Sequence, residues 1–293
     1  MMKPTLKPLF LFVSILVIGC TSNQDLLVSF NNPNIEYWGR IDTTGNDAAE
    51  LYWSGTSISL NFEGQNISAQ FDEERGDNYY NIIIDKDSLF VLRPDSVQKY
   101  YELATGLTAG SHHIEIFKRT EWDRGWSRFY GFQITGNAKV LPKEAPKKRK
   151  IEFYGNSITA GYAVEDFSGA DRSDSIFTNN YLSYSYLTAR HFDAEYQCIC
   201  KSGIGITISW FPLIMPEMYN RLNPSDPDRH WDFSLFTPDL VVINLFQNDS
   251  WLVERPEFEE FKHRFGTTKP SEEFIIDRYA DFVASIRKEY PET

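Results

Sequence analysis

Three short segments of this chain carry groups that could perform acyl transfer. Phe153-Tyr154-Gly155-Asn156-Ser157-Ile158-Thr159-Ala160-Gly161-Tyr162 sets a serine between an apolar run and a helix-like run. A helix N-terminus behind such a serine favours developing negative charge. Ser202-Gly203-Ile204-Gly205 supplies glycines whose backbone N–H groups can approach a ligand closely. Phe246-Gln247-Asn248-Asp249 ends the most apolar run with a side-chain amide donor. A hydroxyl nucleophile with convergent N–H donors is what acyl transfer through an oxyanion needs. Each segment alone also reads as plain structure: an N-cap serine, a glycine turn, an Asn-Asp turn. Their order, each after a strand, favours the chemistry, because ligands of open α/β sheets bind outside the carboxyl ends of the strands.

The elements that must hold these segments divide the chain in two. From about residue 35 to 140, period-2 runs alternate with turn residues. Ser57 to Phe62 and Asn66 to Phe71 flank Glu63-Gly64 as a hairpin. Tyr79 to Ile84, Ser88 to Leu92, Gln98 to Ala104, His112 to Lys118 and Arg128 to Thr135 repeat that length and spacing, which predicts a β-sandwich of the jelly-roll type. Residues 141–150, rich in proline and cations, read as a linker. Beyond it the period changes. Strands at Lys150–Tyr154, Ala194–Cys200 and Asp239–Phe246 alternate with helical patterns at Asn180–His191 and Ser271–Glu289, predicting a three-layer α/β domain over 151–293. In the last helix Phe274, Ile275, Tyr279, Phe282, Val283 and Ile286 are expected to face inward. With three strands before Thr293, the sheet is expected to be incomplete at its C-terminus.

Charge and cysteines bound the partners. Lys+Arg 29 against Asp+Glu 41 gives a net charge of -12 over 293 residues, which excludes a nucleic-acid binder held by counterion release. Lys3 and Lys7 precede an apolar run, Leu9–Ile18, too short to span a bilayer, and the sequence then reads Gly19-Cys20. Residues 1–20 therefore resemble a bacterial lipoprotein signal peptide with Cys20 lipidated, followed by a tether over 21–34. Removing residues 1–19 takes away two lysines and no acid, moving the charge from -12 to -14. The expected location is the cell envelope, anchored by lipid at the outer membrane. Cys198 and Cys200 read as buried thiols, and no His-x-x-x-His or paired Cys-x-x-Cys motif implies a metal. No Walker-type loop implies a nucleotide, so no cofactor is expected.

The three segments resemble the first three blocks of the SGNH (GDSL-like) hydrolases. The sandwich, with Tyr37-Trp38-Gly39-Arg40, Lys118-Arg119-Thr120-Glu121 and Phe129-Tyr130-Gly131-Phe132, is similar to the N-terminal domain of carbohydrate esterase family two. The resemblance implies an esterase that removes O-acetyl groups from plant polysaccharides such as xylan and glucomannan through an acetyl-enzyme. It casts Ser157 as nucleophile. The oxyanion hole would comprise the N–H of Ser157, that of Gly205 (Gly203 as second choice) and the amide of Asn248. Trp210, Trp251 and Trp231 offer flat rings to sugars, with Trp210 and Trp251 preferred.

Two departures stand out. Asn156 replaces the Asp that the family often has before its serine, and the family's final block, with its catalytic His, is expected beyond Thr293. His112, His113, His191, His230 and His263 lie in the sandwich, at a helix end, in a loop and in an insertion, and none is placed as a substitute. The chain as given is therefore expected to have little esterase activity alone. The alternatives are a non-catalytic carbohydrate-binding lipoprotein and an SGNH esterase for lipids or thioesters.

Overall fold

The computed structural model describes residues 25–293, so the leader, Cys20 and the start of the tether lie outside the described residues. Twelve strands come first: β1 (Leu26–Ser29), β2 (Glu36–Trp38), β3 (Ile41–Asp42), β4 (Ala49–Leu51), β5 (Ser57–Glu63), β6 (Asn66–Glu73), β7 (Tyr80–Ile84), β8 (Ser88–Leu92), β9 (Lys99–Ala104), β10 (Ser111–Lys118), β11 (Ser127–Thr135) and β12 (Lys139–Val140). One sheet runs β3-β4-β11-β6-β9 with β1 also on β11; the facing sheet runs β12-β5-β10-β7-β8 with β2 also on β5. Strict alternation is visible in β6, where every second residue is buried. The inner faces meet in one apolar core around Ile58, Leu60, Phe62, Phe71, Ile116 and Phe129.

The sandwich thus begins earlier than the sequence suggests. Leu26–Ser29, assigned to the tether, pairs antiparallel with Gly131–Ile134. Gly131 makes this possible: at φ 142°, a Cβ there would sit 2.1 Å from the Val28 carbonyl oxygen.

The second unit holds β13 (Arg149–Gly155), β14 (Ala194–Cys200) and β15 (Leu240–Asn244) in one parallel sheet, order β14-β13-β15. Its helices are α1 (Ser157–Ala160), α2 (Tyr184–His191), α3 (Met215–Met218), α4 (Gln247–Leu252), α5 (Glu259–Phe265) and α6 (Glu272–Glu289). Phe153, Tyr196 and Cys198 pack with Ala160 and Ala189 on one face; Tyr154 and Ile199 pack with Met215, Phe282 and Ile286 on the other. Three layers follow from strands that are apolar on both faces. Cys198 and Cys200 are free and buried.

Two details depart from expectation. Ser183 caps α2 by accepting from Tyr186 N, so the pattern at Asn180–His191 breaks into a short 3-10 turn and a helix. On α6, Phe282 and Ile286 are buried as expected, but Phe274 and Val283 are exposed. For Val283 the physical reason lies beside it. β15 has no partner on its outer edge among the described residues, Leu240 is 51% exposed, and a groove of about 220 Å³ runs between that edge and Val283 and Ile286.

The two units are welded by a buried ion pair. Arg40, just after β2, meets Glu152 of β13 at 3.0 Å with both side chains fully buried. The same guanidinium donates to the Tyr154 hydroxyl and to the carbonyls of Tyr219 and Arg221. The sandwich is therefore fixed to the central strand that leads into Ser157.

Within the sandwich, burial pushes the Glu73 carboxyl up to about 7, against lowering by its bonds from Asn78 and Ser127. A carboxyl raised on folding binds its proton more tightly in the native state, so its stabilising contribution is complete near pH 4.5 and is lost as pH rises through 7. Glu73→Gln is expected to flatten the fall in urea midpoint between about pH 5 and 7.5; equal slopes in wild type and variant would refute this.

Candidate active site

Strand β13 ends at Gly155, whose neighbours in register are Cys200 on β14 and Asn244 on β15. The three segments singled out in the sequence leave the sheet at these points, so topology alone brings them together. Gly155 lets α1 start immediately, since a Cβ there would lie 1.9 Å from the Thr159 hydroxyl. Asn156 caps the helix: its Oδ1 accepts from Ile158 N at 3.0 Å. Ser157 follows at the first helical position, half-buried, and among the described residues its hydroxyl has no hydrogen-bond partner.

Asn156 also explains why it can replace an acid. Its Nδ2 donates to Gln247 Oε1 at 2.6 Å, and Gln247 Nε2 donates to Asn244 Oδ1 at 2.7 Å. A carboxylate could not donate in this chain of amides. The serine turn and the third segment are thereby tied.

Asn248 joins the third segment to the second. Its Nδ2 donates to Ile204 O at 2.8 Å, and its Oδ1 accepts from Trp210 Nε1 at 3.1 Å. An amide nitrogen has two donors, so one N–H is left for a ligand. Trp210, 41% exposed, therefore orients the amide as well as offering a ring at the mouth. Trp251 is 65% exposed on α4. Trp231 serves elsewhere, with the Arg40 guanidinium 5.5 Å from its ring centre.

The two glycines differ in what their N–H groups meet. Gly205 N–H donates to Ser209 Oγ at 2.9 Å and is occupied in this conformation. Gly203, at φ 83° and half-buried, has no partner for its N–H among the described residues. The open backbone donor is thus Gly203 rather than Gly205. Gly205 is needed for space: a Cβ would lie 2.0 Å from Ile208 O and 2.4 Å from Asp249 Oδ2.

Two residues that shape this loop were not singled out in the sequence. Asp249, fully buried, accepts from the N–H groups of Ile206, Thr207 and Ile208 and from the Thr207 hydroxyl. Glu121, from the sandwich, accepts from both the N–H and the hydroxyl of Ser202, while Lys201 sits 3.0 Å from Asp123. An Asn-Asp pair looks like a turn in sequence, and the partners of Asp249 lie about forty positions upstream; no local signal exposes such a contact.

The histidines stay apart from Ser157. His112 bonds Asp85 and the Thr108 carbonyl, His113 bonds Asn61, His191 ends α2, His230 bridges to Arg221 and His263 lies on α5. Among the described residues none is hydrogen-bonded to Ser157.

Phe246 opens α4 at φ 96°, a conformation in which a side chain clashes with its own backbone. The residue is 38% exposed, so relief of the strain is expected to outweigh the partial burial that the ring gives up. Phe246→Gly is expected to raise stability by about 1 kcal/mol in urea unfolding; a variant no more stable than wild type would show that the ring is held by contacts worth as much as the strain.

Residues 37–143 match the family model "Carbohydrate esterase 2 N-terminal". The chain is 34% identical over 266 residues to the cellulase/esterase CelE of Acetivibrio thermocellus, covering 89% of this chain and 30% of that protein. It is 26% identical over 301 residues to an acetylxylan esterase/glucomannan deacetylase of Cellvibrio japonicus, covering 99% of this chain and 79% of that one. The solved family two carbohydrate esterase from Clostridium thermocellum in complex with cellohexaose superposes with a TM-score of 0.77 at 33% identity, over 88% of this chain and 75% of that one. The family two esterase of Cellvibrio japonicus gives 0.80 at 25% identity, over 92% and 77%. The chain thus spans less than a third of the length of CelE.

Proposed function

This chain belongs to carbohydrate esterase family two, and we propose that it removes O-acetyl groups from plant polysaccharides, xylan or glucomannan, with Ser157 as nucleophile. The observation that carries this reading is the convergence of an unpaired serine hydroxyl at the start of α1 with Asn248 and the 203–205 loop, held by the Asn156–Gln247 and Asn248–Ile204 bonds. Relatives named as acetylxylan esterase/glucomannan deacetylase, and a solved one holding cellohexaose, support the substrate class.

In this reading a base takes the Ser157 proton as Oγ attacks the acetyl carbonyl carbon. The carbonyl oxygen becomes an oxyanion facing the Ser157 N–H, the spare N–H of Asn248 and a backbone N–H of the glycine loop. That backbone donor is Gly203 in the conformation described, or Gly205 once the Ser209 hydroxyl turns away. Collapse breaks the bond to the sugar oxygen, which receives the proton back from the base. Water then attacks the acetyl-enzyme by the same route and acetate leaves. Trp210 and Trp251 would stack on sugar rings beside the cleft.

Among the described residues no histidine is bonded to Ser157, and the unpaired edge of β15 with its apolar groove supports a place for a base: a further parallel strand there, followed by a loop bearing His. Lipidation at Cys20, supported by the Lys3–Cys20 pattern, would hold the protein at the bacterial cell envelope. Among the described residues no helix is long and apolar enough to cross a membrane.

The test is acetate release from acetylated glucomannan and acetylated xylan by residues 1–293 and by a version extended through the next strand and loop of the natural reading frame. The extended protein is expected to release acetate and to prefer acetyl over long acyl esters. The second reading, a glycan-holding protein without turnover, is set by Ser157 having no histidine bonded to it among the described residues; it stands if both versions bind oligosaccharide and neither releases acetate.

A further inference from the structure

A second cleft lies at the other end of the α/β sheet. A cavity of about 320 Å³ separates the outer face of the sandwich from α2 and the start of β14. Strand register builds its floor. Glu36, Ser59 and Glu115 stand abreast on β2, β5 and β10, and Trp38 and Ser57 form the next row on the same face. Because β5 contributes two serines where a sandwich face usually carries bulk, the middle row sinks into a trough with a carboxyl on each rim. At one end the units close tightly, since a Cβ on Gly55 would lie 2.4 Å from the Tyr196 ring.

The polar groups of this trough are only partly spent. Glu115 faces no cation within ion-pair distance; the Tyr186 hydroxyl bonds it at a long 3.5 Å, and the Ser57 hydroxyl also supports it from the same trough. Burial pushes its carboxyl up, against lowering from Ser57, Lys147 and Arg190. Burial raises Glu36 as well. Arg190 lies over the Tyr181 ring with its centre 4.7 Å away and makes no ion pair among the described residues. The walls thus combine the Trp38 indole, with the Lys147 ammonium 5.7 Å from its ring centre, carboxyl acceptors, serine hydroxyls, a second lysine at Lys86 and a free guanidinium. A ligand that satisfies them must offer hydroxyl donors and acceptors around a ring with an apolar face and carry no net charge, because the walls bear both signs.

We infer that this trough is a second, non-catalytic glycan-binding site that takes a neutral pyranose unit. It rests on the proposed function only for its ligand class. Ala194, on its wall, begins β14, whereas Ser157 follows the far end of the neighbouring strand, so the two sites are separated by roughly 20 Å along the sheet. A polysaccharide chain held in the trough would keep the protein on its substrate while the Ser157 end works on another segment.

The test is titration calorimetry with xylohexaose and with mannohexaose on the full chain, on Glu115→Gln and on Ser59→Tyr, which fills the trough. Trp210→Ala is the control for sugar bound at the Ser157 end. Each trough variant is expected to weaken one binding event at least about tenfold, while acetate release, where the protein shows it, stays within about twofold. Should Ser59→Tyr fail to fold, the near-isosteric Glu115→Gln carries the same readout. Binding that vanishes in Trp210→Ala and is untouched in both trough variants would overturn the inference, as would no binding heat with either sugar in the wild type. Failure of acetate release with trough binding intact would count against the proposed esterase and not against this site.

Discussion

Ser157→Ala is expected to lower kcat for acetate release from acetylated glucomannan by about a thousandfold or more in the extended protein, with KM changed less than about threefold. The alanine removes the attacking oxygen and leaves the Asn248 amide, the loop and the aromatic mouth in place, so ground-state binding persists. In residues 1–293 alone the same substitution should change a residual rate by less than about tenfold, because members of a nucleophile–base unit are not additive. Initial rates of both proteins, with and without the substitution, decide the matter. A large effect already in residues 1–293 would mean that a base lies among them and that the strand proposed beside β15 is not its source. A small effect in the extended protein would remove Ser157 from the chemistry.

Much of the architecture was legible because its signal is local. Strands of the sandwich alternate with period 2, and the turns between them are marked by Gly, Asp and Asn; Ser57–Glu63, Asn66–Glu73 and Ser111–Lys118 lie within two residues of their sequence-based bounds. The short strands β1 to β4 carry no such signal. At two to four residues they hold by pairing with longer neighbours, as Leu26–Ser29 does with β11, and pairing is not written in a four-residue segment. On α6 the periodicity correctly marks apolar positions, but an exposed Phe274 or Val283 has the same helical spacing as a buried one. Spacing shows which positions want burial and not whether a neighbour covers them.

At the site the division is similar. The positions of Ser157 and Asn248 were legible because each lies in the first turn of a helix that follows a parallel strand, which puts it at the carboxyl end of the sheet. What orients them was not: the amide chain Asn156–Gln247–Asn244, the indole of Trp210 on Asn248, and the grip of Glu121 on Ser202 join positions 38 to 91 residues apart, or three apart across a strand end. That the Gly205 N–H is spent on Ser209 while the Gly203 N–H is open is equally invisible, since a glycine with a bonded N–H and one with a free N–H are the same letter.

Asp249→Ala is expected to lower both stability and turnover, and it tests how much of the 203–208 loop is held from a distance. The carboxylate is fully buried and gathers three consecutive N–H groups at 3.0–3.1 Å for Ile206, 2.6 Å for Thr207 and 3.2 Å for Ile208, with the Thr207 hydroxyl at 2.7 Å. Removing it leaves these donors without partners inside the protein, where each orphan costs about 1–3 kcal/mol and relaxation recovers part, so a loss of at least about 3 kcal/mol is expected in urea unfolding. The loop then has no reason to keep Ile204 O against Asn248 Nδ2, and kcat in the extended protein should fall about a hundredfold, comparable to losing one oxyanion donor. Asp249→Asn separates charge from volume. Its Oδ1 can still accept from Thr207 and Ile208, whereas its NH2 confronts the Ile206 N–H, so it should fall between wild type and alanine on both scales. A folded alanine variant with kcat near wild type would show that the loop holds its shape through the Gly205–Ser209 bond and the Glu121 grip alone, and that the buried carboxylate serves stability without setting the geometry of the site.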